Sequence, residues 1–321
     1  MVSSSRVAIV GAGNVGATAA YALMLRGLFT EIVLIDRDAA RALAEATDIA
    51  DANAIARPAR IWAGEYADVQ DADVLVLTAG AATHGDEART AVAGKSAEIV
   101  RACVTDAMAA GFDGILVVAS NPVDAMAQVA QAISGLAPAR VIGTGTLLDS
   151  NRFRKQLARR LAIAPAAVDA MVLGEHGDSE VVAFSTVRIG GVALDPFIGD
   201  QSLDRGQVAH DVVTAGYTIN EGKGYTSFGV ATAIVRICEA VQRDERSVLP
   251  VSTMLGGEYG IEGLYLSLPC LVGAAGVIRV LAPNLSPDEQ TALHRSAQAL
   301  KVILESVRQR PVVTKAARTI S

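Results

Sequence analysis

The chain has 321 residues, 51% hydrophobic and 19% charged, with a formal net charge of -6. That length suits two domains or one large α/β unit, and so apolar a composition builds a sizeable core and excludes disorder. The acidic balance lacks the basic stripe a nucleic-acid partner requires, and no uninterrupted apolar run reaches the roughly 18 residues of a membrane span.

The three cysteines, Cys103, Cys238 and Cys270, are far apart and show no metal spacing. They read as buried thiols in a reducing compartment, and no metal site is expected. Met1 to Ser5 run straight into a strand pattern with no signal-peptide core or cleavage site. A cytoplasmic location is therefore expected.

Arg6-Val7-Ala8-Ile9-Val10 is mostly apolar and reads as a buried parallel strand. It breaks at Gly11-Ala12-Gly13-Asn14-Val15-Gly16, and helical composition follows from Ala17 to Arg26. Glu31-Ile32-Val33-Leu34-Ile35 is a second strand and ends on Asp36. Strand, glycine turn, helix, strand and acid in this order form the βαβ unit with a dinucleotide fingerprint. Gly11 permits the tight turn, Gly13 lets the backbone approach a pyrophosphate, and Gly16 lets helix and strand pack closely. The helix N-terminus, with Asn14 and Val15, offers free N–H groups to phosphate. Asp36 suits a ribose diol and repels a 2′-phosphate, so NAD is expected rather than NADP. Its bland reading is a strand-end cap.

Residues 38–56 are alanine-rich and helical, and Arg60-Ile61-Trp62-Ala63 reads as a third strand. A fourth, Asp73 to Thr78, ends in Ala79-Gly80, where a small backbone suits a cofactor. A polar loop precedes a helix that contains Arg89 and runs to about Ala110. Gly114 to Ala119 is a fifth strand ending in Ser120-Asn121-Pro122, and Arg140 to Gly143 is a sixth. Strands alternating with helices give a doubly wound sheet, whose ligands sit at the carboxyl ends of the strands. Beyond about Thr146 the strands become sequential neighbours: Val168 to Leu173, Val181 to Ile189, Val248 to Leu255, Tyr265 to Val272. Helical stretches are expected at about 203–221, 227–242 and 286–307. The fold class is α/β: an N-terminal Rossmann doubly wound parallel sheet (1–145), then an α+β substrate domain with antiparallel strands (146–321).

The second half supplies chemistry. Hydride addition to a ketone builds negative charge on oxygen, and histidine holds an available proton near neutral pH. His176 lies in Leu173-Gly174-Glu175-His176-Gly177-Asp178. A carboxylate on its other nitrogen fixes the tautomer and favours the cation, and Asp149 is the candidate. A substrate carboxylate calls for a planar two-pronged partner, which Arg152 offers. Asp149 and Arg152, at i and i+3, share a helix face, so one meets the histidine while the other meets the substrate. Arg89 beside a glycine-containing loop suits a closing lid, and Asn121 suits orienting the carbonyl or the nicotinamide amide. Taken singly each has a bland reading: a loop histidine, a surface ion pair, a solvated arginine, a turn asparagine. Their joint occurrence after a dinucleotide fingerprint favours the functional one.

Gly11-Ala12-Gly13-Asn14-Val15-Gly16, Thr78-Ala79-Gly80-Ala81, Ser120-Asn121-Pro122-Val123-Asp124, Leu148-Asp149-Ser150-Asn151-Arg152-Phe153-Arg154, Gly174-Glu175-His176-Gly177-Asp178 and Gly224-Tyr225-Thr226-Ser227 occur in unbroken order. Together they resemble the L-lactate and malate dehydrogenase family, nearest its lactate branch. The resemblance implies His176 as proton donor and acceptor, Asp149 as its partner, Arg152 on the substrate carboxylate and Arg89 polarising the carbonyl. It also implies Asn121 and Thr226 completing the pocket, a small 2-oxo or 2-hydroxy acid as substrate, and a homodimer or homotetramer. The family's specificity position falls on Thr83, where lactate enzymes usually place glutamine and malate enzymes arginine. Thr83 has no charge for a second carboxylate, which argues against oxaloacetate. The expected substrate is pyruvate or a somewhat bulkier homologue. His84 next door offers partial positive charge and leaves malate as the second reading. Bacterial enzymes activated by a sugar bisphosphate pair the arginine here numbered 154 with a histidine seven residues before the catalytic one. That position is Asp169, so no such activation is expected. From other classes, a non-catalytic dinucleotide-binding scaffold leaves Arg89, Asp149, Arg152 and His176 idle, and a methyltransferase has no need of a carboxylate clamp.

Overall fold

The computed structural model describes residues 5–56, 58–81 and 89–308, apart from the side chains of 89–91 and 308. Six parallel strands form the first half: β1 (Arg6–Val10), β2 (Glu31–Ile35), β3 (Arg60–Ala63), β4 (Val74–Leu77), β5 (Ile115–Val118) and β6 (Val141–Gly143). Helices α1 (Asn14–Arg26), α2 (Ala39–Asn53), α3 (Arg89–Ala109) and α4 (Val123–Ser134) connect them. Every residue of β4 and β5 is buried. Helices cover both faces of such a sheet, so the strands read as continuous apolar runs rather than alternating ones.

The strand order is β3-β2-β1-β4-β5-β6, which reverses direction between β1 and β4. Val10, Ile35, Leu77, Val118 and Gly143 stand in register from strand to strand. The residues that follow them therefore lie along one edge of the sheet. Gly11, Asp36, Thr78 and the approach to Asn121 all belong to that edge.

The second half adds α5 (Leu147–Leu161), β7 (Val168–Leu173), β8 (Val181–Ile189), β9 (Val192–Ala193), α6 (Leu194–Ile198), α7 (Arg205–Val213), α8 (Ala215–Lys223) and α9 (Phe228–Gln242). It ends with β10 (Ser247–Gly256), β11 (Glu262–Gly273), β12 (Gly276–Val280) and α10 (Pro287–Arg308). Its antiparallel strands divide between two sheets. β7, β8 and β9 form a small sheet whose apolar face packs Val168, Ala170, Val172 and Val187 against Phe153 and Leu157 of α5 and Val208 and Val212 of α7. β10, β11 and β12 instead extend the parallel sheet, with Ser252 of β10 pairing antiparallel to Gly143 of β6. The result is one nine-stranded sheet running through both halves.

The stretch expected as a single helix over 203–221 is two helices that meet at Thr214. The Thr214 hydroxyl donates to the His210 carbonyl at 2.7 Å, a back-bond that bends helices. β12 and the short α6 carry too few residues to show periodicity, and neither was expected from the sequence. Among the described residues no helix is long and apolar enough to cross a membrane.

Gly16 faces the glycine turn so closely that a Cβ there would lie 1.9 Å from the Gly11 carbonyl oxygen. Gly16→Ala is expected to force α1 off the sheet and cost about 1–3 kcal/mol. The shift of the urea midpoint measures it, and an unchanged midpoint would mean the packing is looser than described.

Candidate active site

The glycine turn is held from below by β4. Gly11 has φ +107°, and a Cβ there would meet Ala79 N and Thr78 Oγ1 at 2.7 Å. Thr78 Oγ1 donates to the Gly11 carbonyl at 2.8 Å, which ties the turn to the end of β4. Gly13 caps α1 without a side chain, and a Cβ on it would meet nothing within 4 Å. The N-terminus of α1, which carries Asn14 and Val15, therefore opens onto unfilled space, as a pyrophosphate requires. Asp36 accepts the Ala12 N–H at 2.7 Å and the Asp38 N–H at 3.0 Å. It closes the strand end and also stands at the rim of the turn, where its spare lone pairs suit a ribose diol. Ser120 donates to the Ala79 carbonyl at 2.5 Å, which brings Ala79, Gly80 and the exposed Asn121 together; the Asn121–Pro122 peptide is cis. These residues fit a dinucleotide.

The histidine loop is fastened at four points. Val172 donates its N–H to Ser150 Oγ at 2.9 Å, and its carbonyl accepts Thr146 Oγ1 at 2.5 Å, so β7 is bolted to the start of α5. Gly174 has φ +90° and exchanges backbone hydrogen bonds with Ser267 of β11 at 2.9 and 3.1 Å. A Cβ on Gly174 would press on Ser296 Oγ at 2.6 Å, which explains the glycine. Glu175 turns away from the site; its N–H donates to Ser296 Oγ at 2.8 Å, and its carboxylate takes the Ser179 hydroxyl. The His176 N–H donates to Asp124 Oδ2 at 2.8 Å. Asp124 sits in the first turn of α4, three residues beyond Asn121, so this bond anchors the histidine next to the end of β5.

His176 Nδ1 lies 2.6 Å from Asp149 Oδ2, and Arg152 donates to Asp149 Oδ1 at 2.7 Å. Asp149 is 1% exposed and lies in the first turn of α5, where the helix dipole favours an anion. The helix face does not divide the two roles: Arg152 meets the acid as well as facing the site. This ion pair is buried rather than a surface one. Burial works to raise the Asp149 carboxyl, but the charges of His176 and Arg152 outweigh it and hold it below the ordinary carboxylate range. The Asp149 charge lifts the imidazole to about 9 against the opposing effect of burial. With Nδ1 turned to Asp149, Nε2 of a cationic ring is left to give its proton outward.

Arg152 is mostly buried, and a Cβ on Gly216 of α8 would lie 3.7 Å from its guanidinium. Thr226 is half-buried just before α9, whose Gly229 packs on Leu148 next to Asp149. The structure thus gathers His176, Asp149 and Arg152 directly, with Thr226 on an adjoining element. Thr83, His84 and the side chain of Arg89 lie outside the described residues; Arg89 begins α3. Two acids at the site had no role assigned from sequence. Asp124 belongs to the Ser120–Asp124 motif, and its place at a helix start was the only available signal. Burial pushes its carboxyl up to about 6. Glu180, four residues past His176, lies against the His176–Asp149 pair.

Residues 5–143 match the family model described as the lactate/malate dehydrogenase NAD binding domain, and residues 146–310 match that of the alpha/beta C-terminal domain. An L-lactate dehydrogenase of Clostridium botulinum is 38% identical over 309 residues, covering 95% of this chain and 97% of that one. One from Priestia megaterium is 41% identical over 300 residues, covering 92% and 94%. The crystal structure of minor L-lactate dehydrogenase from Enterococcus mundtii in its ligands-bound form superposes with TM-score 0.92 at 39% identity, over 96% of this chain and 99% of that one.

Asp149→Asn removes the anion that lifts His176. The imidazole is then expected to titrate well below about 9, because burial is opposed only by the lesser pull of Glu180 and Asp124. The pair's contribution to stability is complete below pH 6.5 and is lost as pH rises through about 9. The variant should show a shallower alkaline decline in unfolding free energy, since Glu180, raised mainly by burial, keeps its own share. NMR titration of the imidazole and urea unfolding across this range measure both; an unmoved midpoint would show that Asp149 is not the cause.

Proposed function

The chain belongs to the lactate/malate dehydrogenase family and is an NAD-dependent oxidoreductase, and from that premise we propose that it interconverts a small L-2-hydroxy acid and its 2-oxo acid. L-lactate and pyruvate, or a somewhat bulkier pair, are the substrates. The observation that carries this reading is one buried carboxylate bonded to an imidazole on one oxygen and a guanidinium on the other.

NAD, when bound, supplies or takes up the hydride. Gly11, Gly13, Asn14, Val15 and Gly16 hold its pyrophosphate, Asp36 its ribose hydroxyls, and Ala79, Gly80 and Asn121 line its path. Arg152 keeps one terminal nitrogen on Asp149 and offers its remaining N–H groups to the substrate carboxylate. His176 hands the Nε2 proton to the ketone oxygen as charge develops there and recovers it in the reverse direction. Asp149 keeps the ring oriented and cationic without giving up a proton of its own. Arg89 polarises the carbonyl, Asn121 and Thr226 complete the pocket, and Thr83 meets the substrate side chain. Residues 1–145 act as the cofactor domain and 146–321 as the substrate domain, in a cytoplasmic homodimer or homotetramer.

NADH consumption with pyruvate, 2-oxoisocaproate and oxaloacetate tests the proposal. The expected order places pyruvate or 2-oxoisocaproate above oxaloacetate in kcat/KM; oxaloacetate leading would make the enzyme a malate dehydrogenase. No oxidation with any of the three would favour the scaffold reading. A sugar bisphosphate is expected to leave the pyruvate KM unchanged. Arg154 is already engaged, donating to the Ala170 carbonyl at 3.1 Å and paired with Asp169 at 3.7 Å. A fall in KM on adding the bisphosphate would overturn that expectation.

A further inference from the structure

One carboxyl at the site is not used by the chemistry above. Glu180 precedes β8, and its Oε1 is shut off from solvent with no hydrogen-bond partner among the described residues. One oxygen of Glu180, one of Asp149 and a ring nitrogen of His176 all lie within 4.8 Å of one another. Two carboxylates this close, away from water, resist being ionised together, and one of them keeps its proton. Asp149 has two cations bonded to it and is the one that ionises. Burial, reinforced by the Asp149 charge, pushes Glu180 up to about 9.

We propose that Glu180 holds a proton at neutral pH and donates it to Asp149, so that the cluster of His176, Asp149, Arg152 and Glu180 carries one net positive charge toward an incoming 2-oxo acid. The inference deepens the reading of the site as a 2-oxo acid pocket and rests on it. The four side chains of the cluster decide the balance. His176 and Arg152 are cations, Asp149 is an anion, and Glu180 is neutral. The remaining single charge matches one substrate carboxylate. Were Glu180 ionised, the sum would be zero, and a bare anion would stand beside the guanidinium that seats the substrate. Two further acids face His176: Asp124 from α4, through the backbone N–H, and Glu175 from its own loop. Glu175 is occupied by Ser179. The proton on Glu180 also gives Asp149 a third partner, which leaves the carboxylate little freedom to turn. Glu180 is thus a positioning residue. A divalent cation in the same place would meet the Arg152 guanidinium on the other oxygen of Asp149, so the charges favour a shared proton over a metal.

Infrared spectroscopy reads the proton without turnover. The wild-type spectrum minus that of Glu180→Gln at neutral pH is expected to show the carbonyl stretch of a protonated carboxylic acid, which fades at alkaline pH. If the glutamine variant folds poorly, Glu180→Met serves for the same subtraction. No such band at neutral pH overturns the proposal. Kinetics gives a second readout. In wild type both Glu180 and His176 lose protons on the alkaline side, so log kcat/KM for pyruvate falls with a limiting slope near two, and Glu180→Gln reduces it to about one. An unchanged slope also counts against the proposal, because a residue that merely packs would leave it alone. A band in a protein that oxidises NADH with no 2-oxo acid would refute the activity and still locate the proton.

Discussion

A carboxylate taken out of water costs several kcal/mol unless cations and donors replace its hydration. Asp149 is such a group, and much of the second half is arranged to satisfy it. α5 begins two residues before it, so the charge lies in the first turn, at the positive end of the helix dipole. Arg152 arrives from one turn further along the same helix, and His176 from a loop whose strand is bolted to Thr146 and Ser150. Removing either cation would leave a buried charge half-paired, the costly case for ion pairs. The attraction that keeps the acid ionised also lifts the imidazole to about 9.

The second constraint is that the histidine stay beside the cofactor edge of the sheet. Backbone hydrogen bonds accomplish this. The His176 N–H is taken by Asp124, and Gly174 is paired to Ser267 on β11. Because β10 and β11 continue the parallel sheet past β6, the strand that holds Gly174 and the strands that hold the glycine turn belong to one rigid layer. The crevice between β1 and β4 and the His176–Asp149 pair are therefore linked through sheet hydrogen bonds, with the Asp124 carboxylate fastening the loop itself. Such precision matters for hydride transfer, where reacting atoms must be held close and aligned.

The overall charge of -6 does not oppose an anionic substrate, because the field that matters is local. Over longer distances water and salt screen the remaining acids. Inside the site, low polarisability lets one guanidinium and one imidazolium dominate.

Much of this was legible in the amino-acid order. The glycine turn and Asp36 are local features: a φ the chain can reach only with glycine, a helix start, an acid at a strand end. The buried strands of the parallel sheet are continuous apolar runs, and their alternation with helices specifies a doubly wound layer. Asp149 and Arg152 share a helix face by spacing alone, and the motif resemblance pointed to His176. Tertiary structure alone decided the rest. Strand periodicity does not say which sheet a hairpin joins, so the attachment of β10 to β6 was invisible. The break at Thr214 depends on a hydroxyl choosing its own helix carbonyl. Asp124 and Glu180 are single acids whose meaning lies in burial and in neighbours far along the chain. Local sequence determines which conformations and charges are available; only long-range packing removes the water that makes those charges act on one another.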